Sequence, residues 1–238
     1  MSKPTIAVLY APGTTAHTET ALAVELAGGL GEVVLLSDLI SKDRSLDDYQ
    51  GLVIPGGFSW GDHIAPGRVF AAHLIHHLYD DLVRLREKGR PLLGIGNGFQ
   101  VLCETGILPD QQIGKRSLAL LENESGKAEN RWVVLKVADS NQPWLQGFPQ
   151  EFSMPVSCSA GRLSSENVQP AFLYVDTEGR PTEEYPQNPT GSRGGIAGVI
   201  DSSGLVLGMM PHPERVCNNV QGCAVGLRVF ANMIAMLE

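Results

Sequence analysis

The chain has 238 residues, 43% of them hydrophobic, and a formal net charge of −8 at pH 7. This length suffices for one large α/β domain over residues 1–238, and the acidic balance argues against a nucleic-acid-binding surface. Every apolar run falls short of the roughly 20 residues that span a bilayer, and the N-terminus shows no signal-peptide pattern. We therefore expect a cytoplasmic protein with neither a nucleic-acid nor a membrane partner.

Strand and helix patterns alternate in the first half of the chain. The predicted elements are a strand at 6–10, a helix from about 18 to the glycines at 28–29, a buried strand at 33–36, a strand at 52–54, a helix at 66–88 and a strand ending at 95. Continuous apolar strands between helices are typical of a parallel sheet covered on both faces. Ligands bind such sheets at the carboxyl ends of the strands, where three glycine-rich turns at 12–14, 56–58 and 96–98 are expected to meet.

The second half is predicted to be richer in strands and turns. Strands are expected at 132–137, 171–175, 195–200 and 205–210, and the last two flank a turn that is typical of a hairpin. Three prolines and many polar residues between 177 and 193 predict a surface loop. A C-terminal helix is predicted at about 224–237.

The sharpest predicted feature is a strand-to-helix turn at Gly96, followed by a helix running through Leu102 to Leu108. Such a turn holds its apical residue in a strained conformation, in front of the free N–H groups and positive dipole end of a helix. In many hydrolases the apical residue is the nucleophile. Gly96 has no side chain, so the turn resembles a site for covalent catalysis that lacks its attacking atom.

His212 and Glu214 stand two positions apart between prolines, after a predicted buried strand. A base and the carboxylate that orients it are presented in this way in nucleophilic catalysis. By itself the pair is better explained as a solvated loop. Its combination with Gly96 and the turn at 56–57 favours a catalytic constellation.

These motifs resemble those of the class I (triad) glutamine amidotransferases, and most closely the glutaminase subunits of phosphoribosylformylglycinamidine synthases. The matching segments extend over nearly the whole chain and lie at 12–14, 52–62, 97–104, 123–126, 188–189 with 191–192, and 204–215. The resemblance implies a flavodoxin-like α/β fold, a mostly parallel sheet with helices on both faces. It also implies a synthetase-type large subunit as partner and glutamine as a possible ligand.

In that family a cysteine attacks the side-chain amide of glutamine, and the ammonia released passes to the synthetase. Gly96 occupies the position of this cysteine. His212 matches the family's base, and Glu214 matches the residue that orients it. The resemblance therefore implies a site that retains two members of the triad and lacks the nucleophile.

The resemblance also assigns the pocket around the nucleophile position. Gly57 and the backbone N–H of Asn97 match the oxyanion hole, whose donors stabilise the charged tetrahedral intermediate. Gln100, with Gly56 and Phe58, falls where the family holds glutamine.

A second departure from the family follows residues 155–156, where the family has a His-Gly-Glu motif. Cys158 takes the place of the histidine and Ala160 that of the glutamate. Departure at two separate motifs favours natural loss of the glutaminase reaction over a single engineered change.

Three functions stay open at this point. The first is a non-hydrolytic subunit of a synthetase. The second is an active glutaminase subunit seen as an engineered Cys-to-Gly variant. The third is a repurposed hydrolase that uses Cys158 and His212.

The sequence predicts neither a cofactor nor a metal. Phe99 stands where the dinucleotide-binding fingerprint needs its third glycine. His73 and His77 share a helix face at i, i+4, but no carboxylate or cysteine joins them at ligand spacing. The four cysteines lack the spacing of a zinc site or a disulfide framework, which favours a reducing compartment.

Overall fold

The structure is a computed structural model that describes residues 3–139 and 141–237. Its strands are β1 (Thr5–Tyr10), β2 (Leu30–Leu35), β3 (Gly51–Ile54), β4 (Leu92–Ile95), β5 (Leu120–Leu121), β6 (Glu129–Val137), β7 (Phe152–Cys158), β8 (Arg162–Leu163), β9 (Gln169–Tyr174), β10 (Ile196–Ile200) and β11 (Val206–Met209). Its α-helices are α1 (His17–Leu26), α2 (Leu36–Ser41), α3 (Arg68–Glu87), α4 (Asn97–Glu104) and α5 (Leu227–Ala235).

Within the described residues, nine strands form one sheet in the order β2-β1-β3-β4-β11-β10-β9-β6-β7. The strands from β2 to β11 are parallel to their neighbours, whereas those from β11 to β7 pair antiparallel. A separate antiparallel pair joins β5 and β8. The predicted α/β fold with a parallel sheet is confirmed, and one sheet joins the two halves of the chain.

Helices cover both faces of the parallel strands. The connection from β1 to β2 runs in the opposite direction across the sheet to that from β3 to β4. Right-handed crossovers therefore place α1 and α3 on opposite faces. α1 packs beside α5, and α3 packs beside α4. All residues of β3 and β4 are buried, in agreement with their continuous apolar sequences.

The second strand differs from its prediction. β2 begins at Leu30 and ends at Leu35, and Leu36 already opens α2, a helix that was not predicted. Because β2 pairs only with β1 and lies at the edge of the sheet, Val34 is its single buried residue. The prediction of a buried strand at 33–36 is therefore wrong.

Two helices also differ from their predictions. Leu22 and Leu26 lie at helical spacing on α1 but are about half exposed, because Ala23 and Val24 face the core instead. α4 ends at Glu104, so the predicted continuation to Leu108 is wrong. Gly106, with φ of 75°, turns the chain there in a conformation that favours glycine.

The predicted surface loop at 177–193 is partly a buried polar network. Asn188, Thr190 and Ser192 are almost completely buried. The Asn188 side chain donates to the Ser192 carbonyl at 2.8 Å and accepts from the Thr190 hydroxyl at 3.0 Å. The Ser192 hydroxyl donates to the carbonyl of Gly161 at 3.2 Å. Polar composition wrongly indicated exposure here, because these groups satisfy one another inside the protein.

The predicted hairpin of β10 and β11 is confirmed by their antiparallel pairing. β7 was not predicted, although it pairs with β6 along its whole length. None of the helices in the two described ranges is long and apolar enough to cross a membrane.

Candidate active site

The turn at Gly96 joins β4 to α4 at the carboxyl edge of the sheet. Its φ of 53° and ψ of −108° lie outside the regions that residues with side chains ordinarily adopt. The Gly96 N–H donates to the carbonyl of Met209 at 2.8 Å, which ties the turn to the end of β11. β4 and β11 are neighbouring parallel strands, so the segment that follows β11 lies beside Gly96.

His212, in the segment after β11, lies next to Gly96. Its backbone N–H donates to the carbonyl of Pro155 at 2.8 Å, and its Nδ1 lies 2.6 Å from Oε1 of Glu214. Both residues are about 2% exposed. A carboxylate can only accept, so with an ionised Glu214 the proton of this bond lies on Nδ1, and Nε2 then faces Gly96 without a proton of its own.

Gly96 and His212 face each other directly. A Cβ atom placed on Gly96 would lie 3.2 Å from Nε2 of His212 and 3.1 Å from its Cε1. Nε2 is buried and has no hydrogen-bond partner among the described residues. Gly56 allows the ring to sit so close to the turn, since a Cβ there would come within 2.7 Å of Cε1.

The three glycine-rich turns meet as predicted at this edge. Gly57 forms an isolated bridge with Thr14. Its φ of 155° favours glycine, and a Cβ at this position would also lie only 2.5 Å from the Gly13 carbonyl oxygen. The Phe58 N–H donates to that same oxygen at 2.9 Å, while the Phe58 ring is exposed. Asn97 is the first residue of α4, where a backbone N–H has no acceptor within the helix.

The side chains of Asn97 and Gln100 are engaged within the protein. Asn97 donates from Nδ2 to Oε1 of Gln100 at 2.8 Å and to Oδ1 of Asp62 at 3.2 Å. Gln100 in turn donates from Nε2 to the carbonyl of Ala160 at 2.6 Å. The predicted glutamine-holding residue therefore links α4 to the segment after β7.

Cys158 lies at the end of β7, with its thiol facing Asn123. Sγ donates to Oδ1 of Asn123 over 3.7 Å, and the same oxygen accepts from the Gly161 N–H at 3.0 Å. Burial raises the pKa of Cys158 to about 12. The thiol is therefore protonated at neutral pH and is not activated as a nucleophile.

Asp62 and Asn123 were not singled out as site residues from the sequence. Partial burial raises the pKa of Asp62, which accepts from the Asn97 side chain and the Gly67 N–H. Asn123 also donates to the Cys158 carbonyl at 2.8 Å. Both lie inside the matched segments, but their partners are distant in sequence and no local pattern reveals them.

The histidine run lies on α3 as predicted. The His73 ring stacks on Trp60, with ring centroids 5.0 Å apart, and stacks on His77 at 5.6 Å. No group of three or more His, Cys, Asp or Glu side chains that could hold a metal occurs in residues 3–139 and 141–237.

Comparison with known proteins places this site in a family. Residues 3–228 match the model of the CobB/CobQ-like glutamine amidotransferase domain. The phosphoribosylformylglycinamidine synthase subunit PurQ of Dehalococcoides mccartyi is 37% identical over 250 aligned positions, covering 98% of each chain. That of Pyrococcus furiosus is 40% identical over 233 positions and 96% of each chain. A chain in the structure of PurLQS from Thermotoga maritima superimposes with a TM-score of 0.82 at 33% identity, covering 99% of this chain and all of that one.

Proposed function

The chain belongs to the CobB/CobQ-like glutamine amidotransferase family, and from this premise we propose that it is a glutamine-binding subunit of a phosphoribosylformylglycinamidine synthase that does not hydrolyse glutamine. The subunit part of the proposal is supported by relatives named PurQ that align along almost the whole chain. The loss of hydrolysis is carried by one observation, the position of Gly96 in front of Nε2 of His212.

The reaction needs a nucleophile at this position. In a triad the base removes a proton from the attacking side chain, and a third group orients the base. His212 and Glu214 have the geometry of the base and of the group that orients it, but Gly96 has no side chain that could act as the nucleophile. Removing the nucleophile of a comparable triad lowers the rate about 10⁶-fold, which corresponds to about 8 kcal/mol of activation barrier.

The rest of the pocket is arranged to receive the amide. We assign the oxyanion hole to the backbone N–H groups of Gly57, on the turn at 56–58, and of Asn97, which directly follows Gly96. The positive end of α4 adds to this stabilisation of negative charge. Gly56 lies against the His212 ring, Phe58 is exposed on the same turn, and Gln100 links α4 to Ala160. Glutamine binding is therefore retained in this proposal while its cleavage is lost.

The three buried cysteines do not replace the missing nucleophile. The Cys158 thiol, whose pKa is about 12, is hydrogen-bonded to Asn123. Burial likewise raises the pKa of Cys217 to about 12 and raises that of Cys103. A repurposed hydrolase based on Cys158 and His212 is therefore disfavoured by the protonation state and direction of the thiol.

The proposed subunit acts with a synthetase-type large subunit. This assignment is supported by the fit to a chain in the structure of PurLQS from Thermotoga maritima. The partner would then depend on free ammonia, or would respond to glutamine held in this pocket. We place the subunit in the cytoplasm as a single domain, in line with the sequence predictions.

The decisive experiment measures glutamate release from glutamine by the chain and by Gly96→Cys, each with and without the synthetase-type large subunit. We expect no turnover above a few per minute from the chain, and clear turnover from Gly96→Cys. Rapid turnover by the unaltered chain would refute the proposal. Sequencing the natural gene separates it from the second hypothesis, because a cysteine codon at position 96 would show an ordinary glutaminase.

A further inference from the structure

An apolar groove lies on the surface beside the turn at 56–58. It has a volume of about 380 Å³ and is lined by Ile64, in the loop that follows this turn, and by the N-terminal half of α3, including Val69 and Ala72. Ile64 is 70% exposed, and Phe58 at the start of the same loop is 52% exposed. Contiguous apolar surface of this kind marks sites of protein–protein interaction.

The loop at 57–67 connects the groove to the candidate active site. Gly57, which we assign to the oxyanion hole, begins this loop. Oδ1 of Asp62 accepts from Nδ2 of Asn97 at 3.2 Å and from the Gly67 N–H at 3.4 Å. Gly67 lies against α4, since a Cβ there would come within 2.7 Å of a backbone nitrogen of that helix. A protein bound at the groove therefore contacts a loop that is part of the glutamine pocket.

The same loop has an unusual backbone conformation. Trp60 and Asp62 have φ of 49° and 53°, in the left-handed region that favours glycine, and Gly61 between them has φ of 69°. The Trp60 ring stacks on His73, with centroids 5.0 Å apart, and meets Phe70 edge-on at 5.8 Å. Strained non-glycine residues persist where surrounding contacts hold them, and they cluster at functional segments. These contacts hold the loop in one shape, which lowers the cost of binding a partner.

Basic side chains surround the apolar part of the groove. Arg68, His73, His76 and His77 of α3 contribute to its lining, and no Asp or Glu occurs among the described residues that line it. Arg68 is paired with Glu104, at 3.0 Å from Nε to Oε2. The chain as a whole has a net charge of −8, so this surface differs from the rest of the molecule. A partner surface with carboxylates around an apolar side chain complements it.

We propose that the groove and the loop at 57–67 form the docking surface for the synthetase-type large subunit, which inserts an apolar segment flanked by acidic residues. The inference rests on the proposed function, which assigns this partner. A large subunit that responds to glutamine held in the pocket has to contact an element of that pocket. The loop at 57–67 is such an element, and it carries the exposed apolar side chains.

A second apolar surface provides the comparison. Its lining includes Trp132, Phe152, Gly222 and Val225, and Val220, which precedes Gly222 by two positions, is 97% exposed. None of the three glycine-rich turns at the carboxyl edge of the sheet contributes to this lining. We therefore expect the large subunit to leave this second surface free.

The test measures the affinity of the intact chain for the large subunit of the same organism by sedimentation velocity. Ile64→Glu should weaken binding at least tenfold, because it places a charge in the apolar contact. Ile64→Lys should weaken binding less, because its charge is opposite to that of the acidic partner segment. Val220→Glu is the matched control and should bind as the unaltered chain does. The free energy of unfolding in urea is measured for each variant, so that a loss of folding is not mistaken for a loss of docking.

Hydrogen exchange adds a measurement that needs no variant. Formation of the complex should slow exchange of the backbone amides at 57–77 and leave those at 217–225 unchanged. Protection at 217–225 without protection at 57–77 would place the partner on the second surface and overturn the inference.

The outcomes separate this inference from the proposed function. If the unaltered chain binds the large subunit and Ile64→Glu binds it equally well, only the docking surface is refuted. A larger loss for Ile64→Lys than for Ile64→Glu would contradict the acidic partner segment. Self-association of the unaltered chain that Ile64→Glu abolishes would assign the groove to a second copy instead. If the unaltered chain does not bind the large subunit at all, the proposed subunit and its docking surface are refuted together.

Discussion

Gln100 and Ala160 are joined by a hydrogen bond of 2.6 Å, from the side-chain amide of one to the backbone carbonyl of the other. This bond connects the helix after Gly96 to the segment in which the chain departs from the family's second motif. Both residues are buried, and the same amide accepts from Asn97. The helix that follows the turn at Gly96 is thus bonded to the segment after β7.

Replacing Gln100 by leucine should destabilise the protein by about 2 kcal/mol, because the Asn97 amide and the Ala160 carbonyl would lose a buried partner. The free energy of unfolding in urea measures this effect. Gln112→Leu is the matched control, since Gln112 is exposed, and surface substitutions change stability by about 0.5 kcal/mol at most. Equal effects of the two changes would show that the link contributes nothing.

Gly98 allows α4 to lie against β3. A Cβ on Gly98 would come within 1.8 Å of the Ile54 carbonyl oxygen, so Gly98→Ala must displace the helix and with it the turn at Gly96. We expect a loss of about 3 kcal/mol or more from this overpacking, measured by thermal or urea unfolding.

Gly126→Ala provides the comparison for Gly98→Ala. Its φ is 64°, and nothing lies within 4 Å of the added carbon. Backbone strain of that kind costs about 1–2 kcal/mol. If Gly98→Ala proved no more damaging than Gly126→Ala, the close approach of α4 to β3 would not limit this position.

The core strands and the meeting of the three turns could be predicted because each depends on a local pattern. Apolar runs such as those of β3 and β4 indicate buried parallel strands, and the carboxyl ends of parallel strands share one edge. Gly96 and His212 follow neighbouring strands, so their approach follows from topology. Their roles came from the resemblance to a family, and the geometry adds that a Cβ placed on Gly96 would lie 3.2 Å from Nε2 of His212.

The remaining features depend on partners that are far apart in the sequence. Val33 and Leu35 are as apolar as residues of a buried strand, but β2 lies at the edge of the sheet. The polar segment at 188–192 is buried because its side chains bond one another. Asp62 becomes part of the site only because Asn97 reaches it. None of these outcomes is visible in composition or periodicity.

Cysteine reactivity distinguishes the non-hydrolytic subunit from a repurposed thiol hydrolase. Cys158 is buried with a pKa of about 12, whereas Cys223 is partly exposed. We expect iodoacetamide to label Cys223 first in the native protein at neutral pH, and Cys158 only after unfolding, since the thiolate is the reactive form. Peptide mapping after timed labelling measures the two rates. Comparable labelling of Cys158 in the native state would favour the thiol hydrolase instead.

Alkaline unfolding should show the cost of ionising Cys158. Its folded pKa, about 12, lies above the ordinary value of 9.0, so the folded protein holds the thiol proton that the unfolded chain releases. Stability is therefore unaffected by this group below pH 9 and falls as the pH rises from about 9 towards 12. The limiting slope is about 1.4 kcal/mol per pH unit for one thiol. Urea unfolding between pH 9 and pH 11 should show a shallower decline in Cys158→Ala than in the unaltered chain, whereas Ser157→Ala, which removes no thiol, should leave the slope unchanged. An unchanged slope in Cys158→Ala would mean that the thiol ionises as readily in the folded protein as in the unfolded chain, against its burial beside Asn123.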